Sequence, residues 1–268
     1  MPRGQFSHRP PRAVAAPAAG RPWLRWLLAA VTAAAPLSLF GQFAGERGDG
    51  FLFRRPVVTF AIRGGYDRPM ARSDLYDFTT TQLTLSRSDF AALGYAADLG
   101  VRVAERVDLV FSAGEARRGQ PSEFRKFVDN RDQPIEQTTS LRRIPLTVGV
   151  RYALTSPGEQ ISRLAWLPSR LTPWIGAGGG LMLYNFRQNG DFVDFETLDV
   201  FSKTYASKGR SAMAYANLGA DLSLTERFVL TGDLRYSTAR AALNGTFVGF
   251  NKIDLSGTAA TMGIAVRY

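Results

Sequence analysis

Residues 256–268, "SGTAATMGIAVRY", alternate with period two: Thr258, Ala260, Met262, Ile264, Val266 and Tyr268 share one face of an extended chain, and small or charged residues share the other. The same pattern returns at 57–66, 95–103, 107–115, 143–152, 212–224 and 228–236, and more ambiguously at 173–184, where glycines crowd one face. Each segment runs about 9 to 13 residues. Soluble strands average ~5 to 6, whereas crossing a bilayer at a tilt takes ~9 to 11. Eight such segments, one ending on the last residue of the sequence, predict an all-β fold: an eight-stranded antiparallel up-and-down transmembrane β-barrel over 57–268. Closure pairs the last strand with the first and satisfies every backbone group that hydrocarbon cannot. A soluble lipocalin-like barrel would invert the pattern, with apolar residues inside.

The connections carry separate information. "AER" at 104–106 and "TER" at 225–227 are tight turns, while 67–90, 117–138, 186–208 and 241–253 read as long polar loops. Short periplasmic turns and long outer loops are the asymmetry of outer-membrane barrels. Residues 154–171 break the rule and read as a periplasmic excursion with an interfacial Trp166.

The net charge is +10, but five arginines lie before residue 42, ahead of and within a stretch with basic residues, an apolar run from Trp26 to about Ala35, and small residues after it. Residues 1–44 are accordingly expected to be a secretory signal, with 45–56 a short periplasmic segment; an uncleaved anchor is the alternative. Removing those five arginines from the 33 basic residues leaves 28 against 23 acids, or +5. That balance does not suggest nucleic acid. There is no cysteine, so disulfides, thiolate metal sites and thiol nucleophiles are excluded.

The eight-strand plan, the glycine-rich "PWIGAGGGLMLYNF", the hairpin "LTERFVLTGDLRY" and the closing "MGIAVRY" resemble the small OmpA-type and OmpW-type outer-membrane barrels. The resemblance covers roughly 57–268 and implies outer-membrane lipid as the surroundings. It also implies the barrel-assembly machinery as a partner in biogenesis, with Tyr268 in the position of the terminal aromatic, most often phenylalanine, that the machinery reads. It specifies architecture rather than activity.

The inward faces hold Arg63, Asp98, Arg102, Asp108, Arg143, Arg151, Asp221, Asp233, Arg235 and Arg267. Eight strands leave an interior just wide enough for side chains, and unpaired buried ions are costly. These ten residues are therefore expected to pair as an ion-pair plug; a narrow channel or a small transporter for hydrophobic or small solutes is the alternative. The one histidine, His8, falls in the expected signal, so a His-based mechanism has no residue to use it and no enzyme is expected, with no cofactor or metal. "GAGGG" at 176–180 lacks the helix and Lys-Ser pair of a phosphate loop and reads as small residues easing curvature. "RGD" at 47–49 and "NGT" at 244–246 are read as chance matches. Loops 117–138 and 186–208 cluster charges with phenylalanines, and lipopolysaccharide phosphates or bridging cations are the partners they would suit.

Overall fold

The computed structural model describes residues 55–268 apart from 130, 163 and 164. The expected signal, and all of the segment 45–56 except its last two residues, lie outside the described residues. The strands are β1 (Val58–Pro69), β2 (Ala92–Ala104), β3 (Val107–Val128), β4 (Pro134–Ala153), β5 (Gly158–Ser162), β6 (Ala165–Pro168), β7 (Leu171–Val193), β8 (Val200–Ser223), β9 (Phe228–Ala241), β10 (Ile253–Asp254) and β11 (Gly257–Arg267), with one helix, α1 (Asp74–Gln82), after β1. Among the described residues, β1, β2, β3, β4, β7, β8, β9 and β11 pair antiparallel in that order. β11 returns to β1, and β8 pairs with β9. The sheet is thus a closed eight-stranded barrel. Its seam is sealed by the chain end: Tyr268 N–H donates to the Val58 carbonyl at 2.8 Å.

The period-two faces decide which way the wall turns. Ile62, Tyr95, Leu99, Val150, Ile175, Leu218, Leu234, Met262 and Ile264 all point outward and are exposed. Their neighbours in sequence, Arg63, Asp98, Arg151 and Asp233, point into the lumen. An exterior band of exposed leucine, isoleucine, valine and tyrosine is unstable in water and suited to lipid. The protein is a transmembrane barrel of the outer-membrane kind, not an inverted soluble one.

The strands are longer than the sequence pattern predicts. β3, β4, β7 and β8 have 22, 20, 23 and 24 residues, about twice what the membrane needs. Pairing continues upward through Glu123↔Glu136, Gln137↔Gly190 and Val193↔Val200. The expected loops 117–138 and 186–208 are therefore mostly strand, and among the described residues only 129, 131–133 and 194–199 lie outside the strands. The reason is that alternation is enforced only where one face meets lipid; beyond the membrane both faces tolerate charge, and the pairing continues without a sequence signature.

Two other segments read as polar loops fold into the barrel mouth. Residues 71–90 carry α1, and 243–255 carry a short turn and β10. Leu75, Tyr76, Phe90, Phe247, Ile253 and Leu255 from them are buried against Leu141, Met182, Phe186 and Met213 of the wall. Tyr76 meets Phe90 and Phe186 edge-on, with centroids 5.0 and 6.1 Å apart. At the other end, β5 and β6 form a small hairpin below the barrel. Trp166 of that hairpin is buried, 6% exposed, with the Arg267 guanidinium 6.0 Å from its ring. It closes the periplasmic mouth rather than sitting at the lipid interface.

Candidate functional site

Nine of the ten inward charges stand in two clusters, and the tenth, Arg143, pairs apart from them. In the middle cluster the Arg63 guanidinium grips Asp98 with two bonds, Nε to Oδ2 at 2.5 Å and Nη2 to Oδ1 at 2.9 Å. Its remaining nitrogen, Nη1, bonds Asp233 and donates to Thr261 Oγ1 at 2.8 Å. Asp233 also accepts from Thr261 and, at 3.1 Å, from Asn217 Nδ2, and Arg235 Nε stands 3.9 Å away. Four consecutive strands of the wall, β9, β11, β1 and β2, are tied together by one arginine.

The lower cluster lies toward the periplasmic turns. Asp108 accepts from Arg102 Nε at 2.9 Å and Arg151 Nη2 at 2.8 Å. Arg151 reaches on to Asp221 at 3.4 Å, and Arg267 stands 3.8 Å from the same carboxylate. Asp221 takes two further bonds, from Trp174 Nε1 at 3.1 Å and Thr231 Oγ1 at 2.7 Å. Three guanidiniums thus share two carboxylates, and Arg267 adds a bond to Ser223 Oγ at 3.0 Å.

Arg143 joins neither cluster. It stands higher, contacting Asp67 and donating from Nη1 to the Leu255 carbonyl at 2.7 Å. Asp67 is not among the expected lumen residues, because the sequence alternation in this segment reads only to Tyr66. One signal was available: Asp67 lies in phase with Arg63, four residues earlier on the same face.

Room for these side chains comes from glycine. A Cβ on Gly149 would collide with the Tyr215 hydroxyl, and one on Gly178 would collide with the Tyr215 ring and the Val148 carbonyl. Gly178 of the "GAGGG" run and Gly149 across from it are therefore the recess in which Tyr215 lies. A side chain at Gly263 would strike Arg63 and the backbone beside it, so Gly263 lets that arginine pass over β11 to reach Asp233 on β9. A cavity of about 40 Å³ is lined by Arg63, Asp98, Arg151, Trp174 and Tyr215. It has room for roughly three waters.

No family model matches the chain, and no curated protein does. Among solved structures, it is similar to the Neisserial surface protein A, at 13% identity and a TM-score of 0.42, over 79% of this chain and 96% of that one. It is also similar to outer membrane protein W of E. coli, at 12% identity and 0.38, over 81% and 100%. The outer membrane protease OmpT of Escherichia coli matches at 8% and 0.40, over 82% and 99%. Similarity at this level goes no further than the barrel fold, and function has to be read from this chain's own residues.

Proposed function

We propose that this is a non-enzymatic outer-membrane barrel with a sealed lumen, serving as a rigid stand that holds two long β-hairpins outside the cell for structural or interaction roles at the envelope. The observation that carries the reading is the double filling of the lumen. Paired charges occupy the lower part, and an apolar cap of Leu75, Tyr76, Phe186 and Leu255 occupies the upper part. The lumen carboxylates Asp98, Asp108, Asp221 and Asp233 are each engaged by at least one guanidinium, so none of these four stands as a free acid or base.

The hairpins β3–β4 and β7–β8 favour display over transport. They share one continuous four-stranded wall through the β4–β7 pairing, which rises about ten residues, roughly 30 Å of strand, above the membrane. A wall of this kind costs ordering entropy that a pore does not need and a docking surface does. Tyr268, outward-facing at the foot of the closing strand, is the residue this reading assigns to recognition by the barrel-assembly machinery.

Single-channel recording on the purified protein in planar bilayers tests the reading. The expected result is no resolved conductance. A steady ion-selective channel in the wild-type protein would replace the sealed stand with a pore.

A further inference from the structure

The outward face of the wall changes character sharply just above its apolar belt. On β4 the belt runs from Tyr152 to Ile144, about 20 Å of membrane normal once the strand is tilted. The next outward residue is Arg142. In the same cross-strand row stand Arg117 on β3, directly opposite Arg142, then Asn185 on β7 and Lys208 on β8. Arg210 flanks the row below, beside Leu183, and Arg187 flanks it above, beside Ser140.

Five cations thus share one face of four adjacent strands. The acid at this level is Glu115, and Arg142 already holds it with bonds of 2.8 and 2.7 Å while Tyr95 donates to it at 3.1 Å. Arg187, Lys208 and Arg210 form no ion pair among the described residues and are exposed. Like charges facing each other in a register are destabilising, and the other half of the barrel avoids the arrangement: β1 and β9 each place one outward arginine, Arg68 and Arg240, near this level. The excess positive charge is local, is rigidly held by paired strands, and meets the lipid surface where headgroups begin.

We infer that this face, built around Arg117, Arg187, Lys208 and Arg210, binds the phosphates of an acylated, phosphorylated glycolipid in the outer leaflet. Guanidinium groups match phosphate oxygens two at a time, and the headgroup anion offsets the repulsion between the opposed cations. The acyl chains have a place below. A shallow furrow of about 520 Å³ on the outer wall is bordered by Leu99, Phe111, Leu146 and Leu181 and floored by the small residues Ala97 and Ala113. Cations above a groove that accepts hydrocarbon distinguish a lipid from a soluble anion. The inference rests on the transmembrane placement of the barrel but not on its lumen being closed.

The test is a binding titration of the detergent-solubilised protein with bisphosphorylated lipid A, with the same lipid dephosphorylated, and with an acyl-free diphosphorylated disaccharide. Wild-type protein should prefer the bisphosphorylated lipid at least tenfold over either comparison ligand, and 0.5 M salt should weaken that binding. Arg187→Gln/Lys208→Gln/Arg210→Gln should lose at least tenfold, whereas Arg68→Gln/Arg240→Gln should bind as wild type. Equal binding by the triple variant, or equal affinity for the dephosphorylated lipid, overturns the proposal; equal affinity for the disaccharide overturns its lipid part. If the triple variant fails the heat-modifiability check for folding, Arg210→Gln alone and the salt dependence of the wild type decide the matter on the same criteria. A negative result leaves the conductance experiment unaffected, because that experiment reads the lumen and this one the outer wall.

Discussion

The guanidinium of Arg235 lies over the ring of Tyr215, 4.5 Å from its centre, and this contact divides the lumen. Tyr215 also belongs to the apolar cluster of the cap, while Arg235 belongs to the charges below. An aromatic face is one of the few surfaces that serves both neighbours, since it packs as hydrocarbon and attracts a cation by its quadrupole. The ring lies in the space left by Gly149 and Gly178, so a strand pair with side chains there would have no room for the divider.

Filling that recess is the sharpest test of the division. Gly178→Val should place methyl groups where the Tyr215 ring and the Val148 carbonyl already are, costing on the order of 1 to 3 kcal/mol or more as overpacking. Urea unfolding in detergent should show the loss. Adding Tyr215→Ser should recover only part of it, because the backbone clash with Val148 persists.

Removing Asp233 should be costly. The carboxylate is held by Arg63, Thr261 and Asn217 with Arg235 close by, and Asp233→Ala leaves Arg63 with Asp98 but deprives Arg235 of its acid. A loss of about 3 to 5 kcal/mol is expected if the site is dry, less if water enters. A double variant with Arg235→Met should regain a measurable share, since a pair in contact does not behave additively. Full additivity in the cycle would show that the two residues do not act together.

The cap and the charge clusters seal the lumen separately. Tyr76→Ala should cost roughly 3 to 5 kcal/mol, the range for deleting a large buried aromatic, because Tyr76 is fully buried against Phe90 and Phe186. Bilayer recordings of this variant should still show no channel, as Arg63, Asp98 and Asp233 close the lumen underneath. Conductance appearing with Tyr76→Ala alone would place the seal in the cap.

Acid should loosen the tip of the β3–β4 hairpin before it affects the barrel. Asp129 Oδ1 accepts from the backbone N–H groups of Gln133 and Arg131, both at 2.8 Å, and these bonds hold its carboxyl below the usual carboxylate range. A depressed carboxylate contributes order that is fully present above its unfolded pKa and is lost as pH falls through the lower, folded one. The protection of the Arg131 and Gln133 amides, measured as exchange relative to the intrinsic rate at each pH, should therefore fall on acidification below the ordinary aspartate range. Asp129→Asn should weaken the pH dependence.

How much of this could be read from residues alone depends on what each segment touches. Between Tyr152 and Ile144, or Tyr268 and Thr258, one face meets hydrocarbon and the other a narrow charged interior. That contrast writes period two into the sequence, and strand number and the direction each strand faces follow from it. Residues 117–128, "RRGQPSEFRKFV", meet no hydrocarbon, so nothing compels alternation, and their strand pairing is decided by registers with β4 that only the fold supplies. Tyr76, Phe247 and Ile253 look like apolar residues scattered through polar loops; their burial is created by a barrel mouth assembled from strands far away in sequence. The identity of each ion pair is tertiary for the same reason. Arg143 meets Asp67 rather than a nearer acid because shear between the strands sets the height of every inward residue, and no single strand carries that information.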